Sequence, residues 1–94
     1  MKNEARYRRS RMFLKCTPIM DGPGPLETIV KIQTAEGTQE EVAVYKGLVN
    51  NGFLEVGPPI VSTSDKVLIE LPTESASGRW RIWVADSQFS SKAA

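Results

Sequence analysis

Histidine is absent from this chain of 94 residues, and cysteine occurs once, as Cys16. Without histidine the chain lacks the commonest general base and the commonest metal ligand. A single cysteine has no second thiol with which to hold zinc or form an intramolecular disulfide. We therefore expect neither enzymatic activity nor a cofactor. Because disulfides are rare in reducing compartments, the lone thiol favours a cytoplasmic protein.

Long apolar runs are also missing from the chain. No stretch approaches the ~18 consecutive apolar residues that a membrane-spanning helix needs. The chain also shows no positively charged and then apolar leader of the kind found in signal peptides. We expect no membrane association and no targeting segment, and a chain of this length predicts one domain.

Charge is distributed unevenly along the chain. The net charge is +1, yet residues 1–15 carry six basic and one acidic side chain, and the remainder has a net charge of −4. We predict a basic N-terminal arm over 1–11, a single domain over 12–89 and a disordered tail over 90–94. Such an arm is suited to phosphate or to an acidic surface, through Arg6, Arg8, Arg9 and Arg11. The alternative is a solvated leader, since chain termini fray unless they are tied down.

Short runs rich in Val, Ile and aromatic residues recur between Gly, Pro, Asn and Ser, which is typical of β-strands. Gly37 and the sequence Asn50-Asn51-Gly52 each predict a hairpin turn. The prolines and glycines of 18–25 exclude that segment from a central strand. About five or six strands at this spacing predict an all-β, mainly antiparallel barrel of the SH3-like kind. An OB-like barrel or a small sandwich is the alternative.

Alternation along the strands predicts the hydrophobic core, because successive side chains point to opposite faces. In the last predicted strand, 79–84, Trp80 and Ile82 share one face. Cys16 is in phase with apolar neighbours and is expected to be buried as a small hydrophobic residue. The rest of the core is expected to contain Val30, Ile32, Val42, Val44, Val67, Ile69, Leu71, Trp80 and Ile82.

The opposite face of that last strand would carry Arg79, Arg81 and Trp83. Tryptophan and arginine are the residues most enriched at interaction hot spots. The leading hypothesis is therefore a module that binds protein, including a second copy of itself, with the basic arm complementing the acidic body. The alternative is nucleic-acid binding, in which the arm and the same face neutralise phosphate and stack a base. A structural reading is also open, in which Trp83 folds onto a loop and the arginines pair with carboxylates.

Overall fold

The computed structural model describes residues 11–91, which form ten short strands, two 3₁₀ helices and no α-helix. The predicted arm, apart from Arg11, and residues 92–94 of the predicted tail lie outside the described residues. The 3₁₀ helices span Lys46–Leu48 and Asp86–Gln88. The strands are β1 (Met12–Lys15), β2 (Thr17–Asp21), β3 (Glu27–Gln33), β4 (Gln39–Tyr45), β5 (Val49–Asn50), β6 (Phe53–Val56), β7 (Val61–Ser62), β8 (Lys66–Glu70), β9 (Arg81–Ala85) and β10 (Phe89–Ser90).

The strands pair antiparallel in three small sheets. Sheet A has the order β10-β1-β6-β5, sheet B the order β2-β3-β4, and sheet C the order β7-β8-β9. The all-β antiparallel class predicted from the sequence is therefore confirmed. The pairings within 11–91 do not close a barrel, and the strands are shorter and more numerous than predicted. One reason is that Pro58 and Pro59, between β6 and β7, have no N–H group with which to continue a ladder.

Both predicted hairpins are present. Gly37, in the turn between β3 and β4, has φ = 88°, and the turn between β5 and β6 contains Asn51 and Gly52 with φ of 54° and 80°. Two consecutive positive φ angles match the twist of the flanking strands. The segment that contains Pro18 lies at the edge of sheet B, as its missing N–H donor requires.

The two halves of the chain repeat one topology. β1 to β5 and β6 to β10 each consist of four strands, a 3₁₀ helix and a fifth short strand. β1 and β6 pair with each other, with Leu14 opposite Leu54. The last strand of each half then pairs with the first strand of the other, so that Phe89 lies opposite Leu14 and Val49 opposite Leu54. The halves therefore exchange their last strands, and sheet A holds them together.

The long turns of the two halves are also built alike. In the first, the N–H of Gly37 donates to the carbonyl of Thr34 (3.1 Å), and in the second the N–H of Gly78 donates to the carbonyl of Ser75 (2.9 Å). The side-chain hydroxyls of Thr34 and Ser75 accept backbone N–H groups four residues later, at 3.2 and 3.0 Å. Both hydroxyl residues are buried. Turns of the same structure thus connect β3 to β4 in the first half and precede β9 in the second half.

Substitution of either turn glycine tests this equivalence. Gly37 and Gly78 have φ of 88° and 90°, and an added Cβ would meet nothing closer than ordinary van der Waals contact at either position. The cost of Gly→Ala is therefore conformational, about 1–3 kcal/mol for a residue held in this region. We expect G37A and G78A to lower the free energy of unfolding by similar amounts in urea titrations. A neutral effect at one of them would show that the two turns differ.

The core lies between the sheets and contains eight of the nine residues predicted for it. Cys16 is also buried, as predicted, at 6% exposure. The prediction for Trp80 is wrong, since this side chain is 52% exposed. The reason is that β9 begins only at Arg81, because the backbone of Arg79 is hydrogen-bonded in the turn to Ser75. Ile82, within the strand, is buried as the alternation predicts, whereas Trp80, just before it, is exposed although its carbonyl accepts the N–H of Leu71 at 2.8 Å.

Candidate functional site

Apolar side chains cross the outer face of sheet C in register. Val61 of β7 lies opposite Leu68 of β8, which lies opposite Trp83 of β9. Val61 is 43% exposed, and Leu68 and Trp83 are half-buried. Their neighbours Val67 and Ile82 point the other way, into the core. We call the set of Val61, Lys66, Leu68, Glu70, Arg81 and Trp83 the sheet C outer face.

Charged side chains flank the apolar row of this face. The ammonium group of Lys66 lies 4.9 Å from the centroid of the Trp83 ring, within the range of a cation–π contact. Arg81 lies directly opposite Glu70 on the neighbouring strand. An apolar centre with charged side chains around it is the composition of a protein–protein interface.

The structure brings together two of the three residues predicted for the outer stripe. Arg81 and Trp83 lie on the same face of β9. Arg79 precedes the strand, and its Nε lies 3.7 Å from the Oε2 atom of Glu40. The Glu40 carboxylate is 7% exposed and also accepts a hydrogen bond of 2.7 Å from the Ser77 hydroxyl. Arg79 thus pairs with a buried carboxylate and fixes the second turn onto β4.

Of the four arginines assigned to the basic arm, only Arg11 falls within the described residues. Its side chain is exposed, and its Nε lies 3.6 Å from the Oε2 atom of Glu55. Arg6, Arg8 and Arg9 lie outside the described residues. Arg11 therefore pairs with an acidic side chain of the body, as charge complementarity predicts.

Two grooves occupy equivalent positions in the two halves. The glutamate groove, of about 330 Å³, is lined by Leu48, Glu55, Val56, Gly57, Glu70 and Pro72. The lysine groove, of about 220 Å³, is lined by the residues that the repeat of the two halves places at the same positions. In the same order, these are Gln88, Lys15, Cys16, Thr17, Lys31 and Gln33. Arg11 also lines the glutamate groove and Gln39 the lysine groove.

The charges of the two grooves are opposite at matching positions. After the paired leucines, Leu14 is followed by a lysine (Lys15) and Leu54 by a glutamate (Glu55). On the central strands, the buried residue before each charge is likewise followed by Lys31 in β3 and by Glu70 in β8. Sequence reasoning missed these grooves because the internal repeat was not recognised. The detectable signal was the pair Phe-Leu at 13–14 and 53–54, each followed four residues later by proline.

Burial of Cys16 raises the pKa of its thiol from 9.0 to about 11. At pH 8 the thiolate fraction is then about a hundredfold lower than in the unfolded chain, since each pKa unit is a factor of ten. We expect iodoacetamide to alkylate Cys16 at least about a hundredfold more slowly in the native protein than in urea. The native rate should rise with pH toward 11. Equal rates in the native and unfolded protein would show that the thiol is accessible.

No described set of three histidine, cysteine, aspartate or glutamate side chains stands close enough to hold a metal ion. Within 11–91, no helix combines the length and the apolar character needed to cross a membrane. In comparisons with known proteins, no family model, curated protein or solved structure matches this chain.

Proposed function

We propose that this chain is a non-enzymatic module that binds another protein through the sheet C outer face, with a second copy of the chain as the first partner to test. The observation that carries the proposal is the apolar row of Val61, Leu68 and Trp83, which lies in register on the side of the sheet that faces away from the core. Covering such side chains contributes up to about 1.5–3 kcal/mol each. Burial of this row by a partner would therefore contribute favourably to the free energy of binding.

The residues that flank the row support binding to protein. Trp83 and Arg81 are of the two types that most often dominate binding energy in interfaces. Lys66 and Glu70 supply one charge of each sign at the rim, where charged pairs fix orientation and partner choice. The exposed Trp80 adds an aromatic side chain immediately before β9.

Two more specific predictions from the sequence, the cellular location and the SH3-like fold, are kept as proposals. We propose a cytoplasmic location on the strength of the single cysteine. An SH3-like fold remains a prediction, and it rests on the length of the chain and on the number and spacing of its short strands. Because the pairings within 11–91 close no barrel, the SH3-like name carries no part of the functional proposal.

A matched pair of substitutions tests which face binds. Leu68 and Ile29 are half-buried residues at equivalent positions on the central strands of sheets C and B. If a second copy binds the sheet C outer face, L68A should weaken self-association by about tenfold, while I29A should leave it unchanged. Sedimentation equilibrium over a wide concentration range measures both effects, with thermal melts to compare the stabilities. An effect of I29A equal to that of L68A would contradict the assignment to sheet C.

Nucleic-acid binding is the second candidate, and the arginines at 6, 8, 9 and 11 support it. Against it, residues 11–91 carry seven basic and ten acidic side chains, a net charge of −3. A domain that binds nucleic acid concentrates positive charge on its folded surface. We therefore expect single-stranded RNA to bind weakly at low salt and to dissociate at moderate salt. Saturable binding that persists at moderate salt and is lost on removal of residues 1–10 would favour this second candidate.

A further inference from the structure

We propose that the lysine groove is a binding site for the phosphate group of a small phosphomonoester. The groove is formed by the end of β1, the start of β2, β3, the start of β4 and the second 3₁₀ helix. None of its lining residues belongs to the sheet C outer face, so the proposal is independent of the function proposed above.

The first observation is a pair of lysines that make no direct ion pair within the described residues, although Glu41 lies opposite Lys31 on β4 without lining the groove. Lys15 and Lys31 line the same groove. Over the described part of the chain, neither ammonium group has a carboxylate oxygen within 4.0 Å, whereas Arg11 in the glutamate groove has Glu55 at 3.6 Å. Two like charges that share a groove repel each other, and a bound anion relieves this repulsion.

The second observation is a set of neutral hydrogen-bond donors around the two lysines. Thr17, Gln33, Gln39 and Gln88 line the same groove. The amide nitrogen of Gln39 donates to the side-chain oxygen of Gln33 at 3.3 Å. This bond occupies the acceptor oxygen of Gln33 and leaves its NH₂ group to donate. The groove therefore offers donors of several kinds, which suits a tetrahedral anion with several acceptor oxygens.

The glutamate groove serves as an internal comparison. At the positions of Lys15 and Lys31 it has Glu55 and Glu70, and at the positions of Gln88 and Gln33 it has Leu48 and Pro72. With glutamate, leucine and proline at these positions, the strands still form the arrangement that the lysine groove shows in the other half. The topology therefore requires neither lysines nor glutamines at these positions, and their convergence in one groove calls for a separate explanation.

Volume and charge identify the ligand class. The volume of about 220 Å³ is below the roughly 300–1,000 Å³ of sites that enclose a whole drug-sized ligand. The groove therefore fits one anionic group while the rest of the ligand lies outside. A phosphomonoester carries about −1.5 to −2 charge at pH 7, which matches two lysines. A carboxylate carries one charge and would leave one lysine unpaired.

A titration with inorganic phosphate, followed by backbone NMR shifts at constant ionic strength, tests this site. We expect saturable shifts at Lys15, Lys31 and Gln88, and stronger binding of a nucleoside monophosphate if the ligand body adds contacts. The variant K15E/K31E should bind phosphate about a hundredfold more weakly or not at all, because two charge-assisted contacts are lost. If it fails to fold, K15Q/K31Q removes both charges without adding repulsion.

The matched control is E55K/E70K, which adds positive charge at the equivalent positions of the other groove. If the lysine groove is the site, this variant should retain wild-type shifts at Lys15 and Lys31. Three results would overturn the proposal. These are shifts equally large with acetate as with phosphate, shifts that never saturate, and phosphate binding by K15E/K31E that equals that of the wild type.

Discussion

Replacing Leu54 by alanine is expected to lower the free energy of unfolding by about 3 kcal/mol, within the range measured for buried leucines. Leu54 has 0% exposure and lies opposite Leu14, also fully buried, in the pairing of β1 with β6 that joins the two halves. The cavity would open where the two halves meet. For a domain of this size, the loss corresponds to a fall in melting temperature of about 12–24 °C.

A matched measurement on Trp80 sharpens this prediction. Trp80 is the larger side chain, yet it is 52% exposed, so W80A should cost clearly less than L54A in the same urea titration. The order is the reverse of what side-chain size alone predicts. A larger loss for W80A would mean that Trp80 is part of the core and that β9 begins earlier in the chain.

Replacing Trp83 by alanine is expected to weaken association by about thirtyfold while the domain stays folded. The association effect corresponds to the ~2 kcal/mol that an anchor residue contributes to an interface. Folding should survive because Ile82 and Val84 supply the core contacts of β9. The hydrogen bond from the Ala35 N–H to the Trp83 carbonyl uses only backbone atoms, so the substitution leaves it in place.

Sedimentation velocity and thermal melts on the same samples separate the two effects of W83A. Lys66→Ala is the control for the cation–π contact, because it removes the ammonium group that lies over the ring without removing the ring. It should change association far less than W83A does. If W83A unfolds the domain, Trp83 is a core residue and the binding role proposed for it fails.

The alternation of apolar and polar residues was sufficient to predict the longer strands β3, β4, β8 and most of β9, and nearly all of the core. The turns were predictable because Asn51, Gly52 and Gly37 adopt positive φ, which few other residue types tolerate. Burial of Val30, Val42 and Ile69 followed from the two-residue period of a strand. These features depend only on local sequence.

Features that depend on contacts distant in sequence were not predictable in this way. The strand alternation gave no sign that Arg79 pairs with Glu40, 39 residues earlier, or that a hydrogen bond to Ser75 holds Arg79 in the turn before β9. The lysine groove combines Lys15, Lys31 and Gln88 from three separate segments. The internal repeat relates the residues of the lysine groove to those of the glutamate groove. The two halves, however, share few identical residues, so the repeat is hard to see in the sequence.

The most direct test of the protein-binding proposal is an NMR dilution series of the unmodified chain. If a second copy binds the sheet C outer face, dilution should shift the backbone resonances of Val61, Leu68, Arg81 and Trp83 and leave those of sheet B in place. Resonances that move on sheet B instead would contradict the assignment to this face. A spectrum that does not change with concentration would contradict self-association.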